Sequence, residues 1–178
     1  MDKNRTTYIS KLDAAKRQLE HCIKLFFYYG DIVVIHILAS GAENILNDLA
    51  TKQDLTTFRT ELMNYIKPEY KDFIWSKFKE AWNFFKHANQ DPDKNLAFNP
   101  YATEIIIWGA VDMYQKITGE VTPTMMSYRA YFYRQHQNII TDEKLKIEIK
   151  KMNKLTDPSN RHQYIDTITE YEKLKYSN

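Results

Sequence analysis

Trp82–Asn83–Phe84–Phe85–Lys86–His87 is the stretch of the chain whose residue types and spacing most readily do chemistry. Asn83 and His87 are four apart and share one face of a helix. Ser76 and Glu80 continue that stripe toward the N-terminus, and Lys86 is adjacent to His87. The stripe reaches the helix end, where a side chain can meet a ligand or a second subunit. Imidazole is the side chain that exchanges protons near neutral pH. Beside a cation and a polar amide it suits proton transfer around a phosphate. The same residues also fit an ordinary solvated helix face, which any surface helix needs.

Two further constellations qualify. His36 follows the apolar run Ile32–Val33–Val34–Ile35, and Glu43 lies seven residues on along the same face. That pattern reads as a core histidine with a hydrogen-bonded partner, or as a catalytic or binding pair. Arg129 and His136 stand in a Tyr-rich helix with six residues between them, and Arg134 is near. Arginine interleaved with aromatics can stack bases; it can equally be core plus solvated edge. No metal or cofactor is expected. The five histidines are scattered, Cys22 is the single cysteine, and the four glycines are isolated, so no zinc, dinucleotide or phosphate-loop fingerprint forms.

The elements that must position these residues follow from hydrophobic periodicity. Leu12, Ala15, Leu19, Cys22, Phe26 and Tyr29 step by three and four, predicting a helix over Ser10–Tyr29 that stops at Gly30. Asp31 caps a second helix over Ile32–Leu49, apolar on nearly every face of its first half and therefore central. A weaker helix over Asp54–Ile66, capped by Asp54, precedes the motif-bearing helix over Pro68–Ala88. On that helix Ile74, Phe78, Ala81, Phe85 and Ala88 face inward, and Trp75 and Trp82 widen the apolar side. Asn99–Pro100 starts a buried helix that ends at Thr118–Gly119, and Thr122–Pro123 repeats the start signal. From Thr141 the chain is more charged, and Asp157–Pro158–Ser159 divides two amphipathic helices.

The whole is one all-α domain over residues 1–178, an up-and-down bundle of about six to eight helices. With 178 residues and 43% hydrophobic side chains, thirteen Tyr and nine Phe among the aromatics, it can bury a full core without staples. Its 25 basic and 23 acidic residues are too balanced to announce nucleic-acid binding on charge alone. The start MDKNRTTYIS has no signal-peptide core, and no run approaches the ~20 apolar residues of a membrane span. A cytoplasmic location away from the membrane is the expectation.

Residues 15–50, AKRQLEHCIKLFFYYGDIVVIHILASGAENILNDLA, resemble the first hairpin of the HEPN superfamily. The shared features are the Ala/Leu-patterned helix, the Gly30–Asp31 turn, and a second helix carrying Ala42–Glu43 before Leu46 and Leu49. The Asn83-to-His87 segment, a loop and a buried helix follow in the family's order, so the resemblance covers about residues 10–118. It implies a HEPN-like helical core over 10–118, a C-terminal helical extension over 122–178, and a homodimer. Many members are metal-independent endoribonucleases of toxin–antitoxin and phage-defence systems; others bind nucleotides or act as scaffolds. Active members carry Arg, often followed by Asn, with His four to six residues after the Arg. Here Asn83 and His87 match, and Trp82 stands at the Arg position.

In the mechanism so implied, a ribose 2′-hydroxyl attacks the adjacent phosphate. His87 moves protons, Asn83 orients, and Lys86 supplies the cation as a point charge without the arginine fork. The residues expected at the site are His87, Lys86 and Asn83, with Glu80, Glu43, His36, Arg129 and His136 as further binding candidates. The expected partners are a second copy of the chain, RNA or a nucleotide, and an antitoxin or other protein. A non-catalytic nucleotide-, RNA- or protein-binding module on the same fold is the second expectation, motivated by the missing Arg.

Overall fold

A computed structural model describes residues 6–64, 68–87, 92–139 and 142–176. The described residues form an all-α bundle: α1 (Lys11–Phe27), α2 (Ile32–Lys52), α3 (Phe58–Asn64), α4 (Pro68–Lys86), α5 (Tyr101–Thr118), α6 (Pro123–Gln135), α7 (Glu143–Leu155) and α8 (His162–Tyr176). A single 3₁₀ turn, Gln137–Ile139, follows α6.

α2 lies at the centre, packed by α1 and by α5. Ile35, Ala39, Ala42 and Leu46 supply its contribution to the core. α6 packs on α1 and α5, α8 on α6 and α1, and α7 on α6. α3 leans on α5 and α4 on α2. α2, 21 residues long, is apolar enough in composition to cross a membrane, its mean hydropathy reaching 1.3 over an 18-residue window. Its place here is the middle of a helical bundle, with His36 and Glu43 buried on it. Aromatic rings fill the opposite end of the core. Phe26, Phe27, Tyr128 and Tyr131 meet edge-on or tilted, and Tyr164 from α8 stacks on Phe27 at 5.2 Å.

Two helix ends differ from the sequence reading. α1 stops two residues earlier than expected, and Tyr29 rather than Gly30 takes the left-handed position, at φ 55°. Its N–H reaches back to Phe26 O at 3.4 Å, and the Gly30 N–H to Leu25 O at 2.8 Å, closing the last turn as a Schellman motif. Gly30 is small for another reason: a Cβ there would press on Leu25 O at 3.1 Å. α2 runs three residues past Leu49 and ends the same way, with Asp54 left-handed at φ 56°. Asp54 therefore terminates α2 and does not cap α3. Thr57 does that, its hydroxyl accepting from the Thr60 N–H at 3.2 Å. The remaining signals place elements as expected. Ser10, Asp31, Asn99 and Thr122 accept from the N–H groups of the helices they precede. Gly119 is left-handed at φ 74°. The Ile66 end of the expected third helix, Ala88, and the side chains of Ile74 and Trp75 lie outside the described residues.

Candidate functional site at the C-terminal end of α4

α4 is held to the bundle by its inner side, where Ala81 is buried and Phe78 and Phe85 are half-buried. Phe85 meets the His36 ring edge-on at 5.7 Å and Phe98 at 5.2 Å, and Phe98 meets His36 at 5.0 Å. This triangle of rings fixes the last turn of α4. The outer side then carries Asn83, Lys86 and His87 into solvent, all three exposed. The His87 N–H donates to Asn83 O at 3.0 Å, so the helical hydrogen bonding extends to the histidine itself. Lys86 folds back over the half-buried Trp82, its Nζ 4.0 Å from the ring centroid. Cations are favoured near a helix C-terminus, where unpaired carbonyls concentrate negative charge, and Lys86 occupies that position. Glu80, one turn back, accepts from Lys77 at 2.6 Å and faces Lys94 at 3.9 Å. The Lys77 ammonium holds its carboxyl below the usual range.

The other candidates are dispersed. His36 is 1% exposed, with Nδ1 2.9 Å from Thr103 Oγ1 and Nε2 3.3 Å from Ser40 Oγ. Burial pulls its pKa down to about 4, so it is neutral in the folded chain at pH 7. It is a core histidine, and the hydrogen-bonding partners that satisfy it are Thr103 and Ser40. Glu43 faces a different neighbour. It is 6% exposed and receives both Nε and Nη2 of Arg59, with Nε at 2.6 Å from Oε1. Arg59 Nη2 also donates to Asn44 Oδ1. Arg59 escaped the sequence reading because it lies 16 residues from Glu43 on a weakly patterned helix, beyond any helical spacing rule.

His136 caps the end of α6, with Nε2 3.3 Å from Glu104 Oε2. Tyr131 donates to the same carboxylate oxygen at 3.4 Å, and the His136 ring lies on Phe132 at 4.5 Å and against Tyr101 at 5.2 Å. Burial raises the Tyr131 phenol to about 12, which keeps it a donor. Arg129 is half-buried two turns back on α6, roughly 10 Å along the helix axis from His136 at 1.5 Å per residue.

Arg134, also missed as a structural residue, is 4% exposed. Its guanidinium donates to Asn153 Oδ1, Gln163 Oε1, Tyr164 Oη and both oxygens of Thr156. Every acceptor is neutral, and together they tie α7 and α8 to α6. Among the described residues, no three His, Cys, Asp or Glu side chains converge as a metal ion would need.

The arrangement therefore offers one exposed imidazole, amide and ammonium at the end of α4. A partly buried ion pair, Glu43–Arg59, lies behind the Trp82 side of the helix, where all three residues border one cleft. No family model matches the chain, and neither a curated protein nor a solved structure matches it.

Proposed function

We propose that the chain is a HEPN-like protein that acts on RNA as a homodimer, with Asn83, Lys86 and His87 of each copy forming its site. The observation that carries the reading is the joint exposure of these three side chains at the end of a helix anchored from behind by Phe85 and His36. A single copy presents one imidazole and no arginine beside it. A second copy brought against this end would double the cations and enclose the substrate phosphate. In cleavage, His87 would take the 2′-hydroxyl proton and return one to the leaving oxygen, and Lys86 would balance charge on the pentacoordinate phosphate.

A second reading, binding of RNA or a nucleotide without turnover, is favoured by the placement of Lys86 on Trp82. There the cation is already partnered by an aromatic ring, and Arg59, a guanidinium bordering the same cleft as Trp82, is held by Glu43.

Incubating the purified chain with structured and unstructured RNAs in EDTA decides between them. Cleavage leaving cyclic phosphate ends, lost in His87→Ala, supports the ribonuclease. RNA retention that weakens in Lys86→Ala without any cleavage supports the binding module. Intact RNA and no retention by either protein sinks both.

A further inference from the structure

α7 puts only one of its five large apolar residues into the core. Ile149 is buried, whereas Leu145, Ile147, Met152 and Leu155 stand exposed, Leu155 to 83%. Beside Ile149, the mooring of α7 to α6 is polar. Arg134 Nε donates to Asn153 Oδ1 at 2.7 Å, and Asn153 Nδ2 donates back to Arg134 O at 3.2 Å. A surface helix ordinarily turns its apolar side to the core. Single exposed apolar residues are common, but packing within this chain does not account for four on one 13-residue helix. The same helix is cationic, with five lysines and two glutamates. Lys146 pairs with Glu143 at 2.7 Å and Lys151 with Glu148 at 2.8 Å, so both acids are met within the helix. The Asp142 carboxylate is taken up by the first-turn N–H groups. Lys144, Lys150 and Lys154 are exposed and have no carboxylate partner among the described residues.

We infer that α7 is a peripheral docking surface for an anionic phospholipid membrane. The helix lies in the headgroup plane, with Leu145, Met152 and Leu155 turned toward the acyl chains and its lysines against lipid phosphates. Charge complementarity selects the partner: the three unpaired ammonium groups call for a surface of negative charge. Lys144, Lys151 and Lys154 each directly precede an exposed apolar residue. Their carbon stems can therefore follow that residue inward while the charged ends stay in the wet headgroup layer. Shape selects a bilayer over a partner helix. At 3.6 residues per turn, the four exposed apolar residues spread over about 160° of the circumference. That is wider than the stripe of about 100° that one packed helix covers, and lysines are interleaved among them. A lipid interface accepts scattered apolar side chains and cations together without a fixed complementary shape. The contact is made from one side and is not a span, and it departs from the expectation, drawn from sequence, of a chain away from membranes.

Co-sedimentation of the full chain with lipid vesicles tests this. Vesicles of equal parts phosphatidylserine and phosphatidylcholine should retain it at least about tenfold more tightly than phosphatidylcholine alone, and added salt should release it. Lys144→Ala with Lys154→Ala should weaken retention by about tenfold or more, each cation near an anionic surface being worth about fivefold. Met152→Ser with Leu155→Ser keeps every charge and should weaken it by about tenfold as well, because apolar burial is lost. All four positions are exposed, so the helical circular dichroism of both variants should match the parent. The inference is overturned if the mixed vesicles retain nothing, if both vesicle types retain the chain equally, or if either folded variant is retained like the parent. Retention on immobilised poly-L-glutamate with none on vesicles also overturns it, and assigns the face to an acidic protein. None of these readouts uses RNA, so the result is independent of the ribonuclease test.

Discussion

Lys86 Nζ lies 4.0 Å from the centroid of the Trp82 ring. At an exposed position such a contact is worth only about 0.5–1 kcal/mol, weak enough for a phosphate to reclaim the ammonium. On the proposed ribonuclease reading, the ring occupies the position at which the resemblance puts an arginine, and Trp82→Arg should raise single-turnover RNA cleavage in EDTA by about 10²-fold, the usual worth of one well-placed donor to transition-state charge. Lys86→Ala in the parent chain should lower it with a stability change under about 0.5 kcal/mol, as for most surface substitutions. An unchanged rate in both variants would remove Lys86 and position 82 from the site.

His36 makes the fold sensitive to acid. Its folded pKa is about 4 against an ordinary 6.5. Above pH 6.5 the ring is neutral in folded and unfolded chains alike. Between 6.5 and 4 the unfolded chain takes up a proton that the folded chain refuses, so stability falls as pH drops and levels off below about 4. The expected loss is roughly 3 kcal/mol. Urea unfolding of the parent and His36→Gln from pH 7 to 4 checks this: the parent should lose about that much more than the variant over the same range. Parallel curves would show that another group governs the acid limb.

The Glu43–Arg59 pair predicts a non-additive double mutant. Arg59→Gln strands a carboxylate that is 8% exposed, at a cost of about 3 kcal/mol, and Glu43→Gln alone leaves the guanidinium without its carboxylate. Glu43→Gln with Arg59→Gln removes both charges and should recover most of it. Chemical denaturation of the two singles and the double measures the coupling, and simple additivity would show that the pair contributes nothing beyond its separate parts.

Gly109, buried on α5, leaves room for Phe58: a Cβ there would collide with the Phe58 ring. Gly109→Ala gains about 1 kcal/mol of helix propensity but overpacks the junction of α3 with α5 by about 1–3 kcal/mol. A net loss in melting temperature is expected, together with rescue by Phe58→Leu. Stabilisation by the single substitution would mean that α3 can move aside without cost.

The helices were readable because periodicity and capping are local. The stripe from Leu12 to Phe26 and the caps at Asp31, Asn99 and Thr122 need only neighbours within four residues. What sequence could not supply was pairing at a distance. Thr103 lies 67 residues from His36, and Arg59 comes to Glu43 from a helix whose own pattern is weak. The left-handed residues were also misplaced. Glycine is the usual occupant of that conformation, so Gly30 drew attention that belonged to Tyr29, and Asp54 resembled the cap of a following helix. At the α4 end, the exposure of Asn83 and His87 followed from their shared face, whereas the position of Lys86 on Trp82 was a matter of rotamer, which spacing does not encode.

The Arg134 clamp bears on the order of events during synthesis. Its acceptors, Asn153, Thr156, Gln163 and Tyr164, emerge from the ribosome after α6. Arg161 likewise reaches back 135 positions to donate to Phe26 O. A nascent chain that has made only its first six helices holds a naked cation where the finished protein has a satisfied one. Packing of α6 against α7 and α8 must therefore wait until those two helices have been made, and shorter products are left open to proteases and chaperones until then.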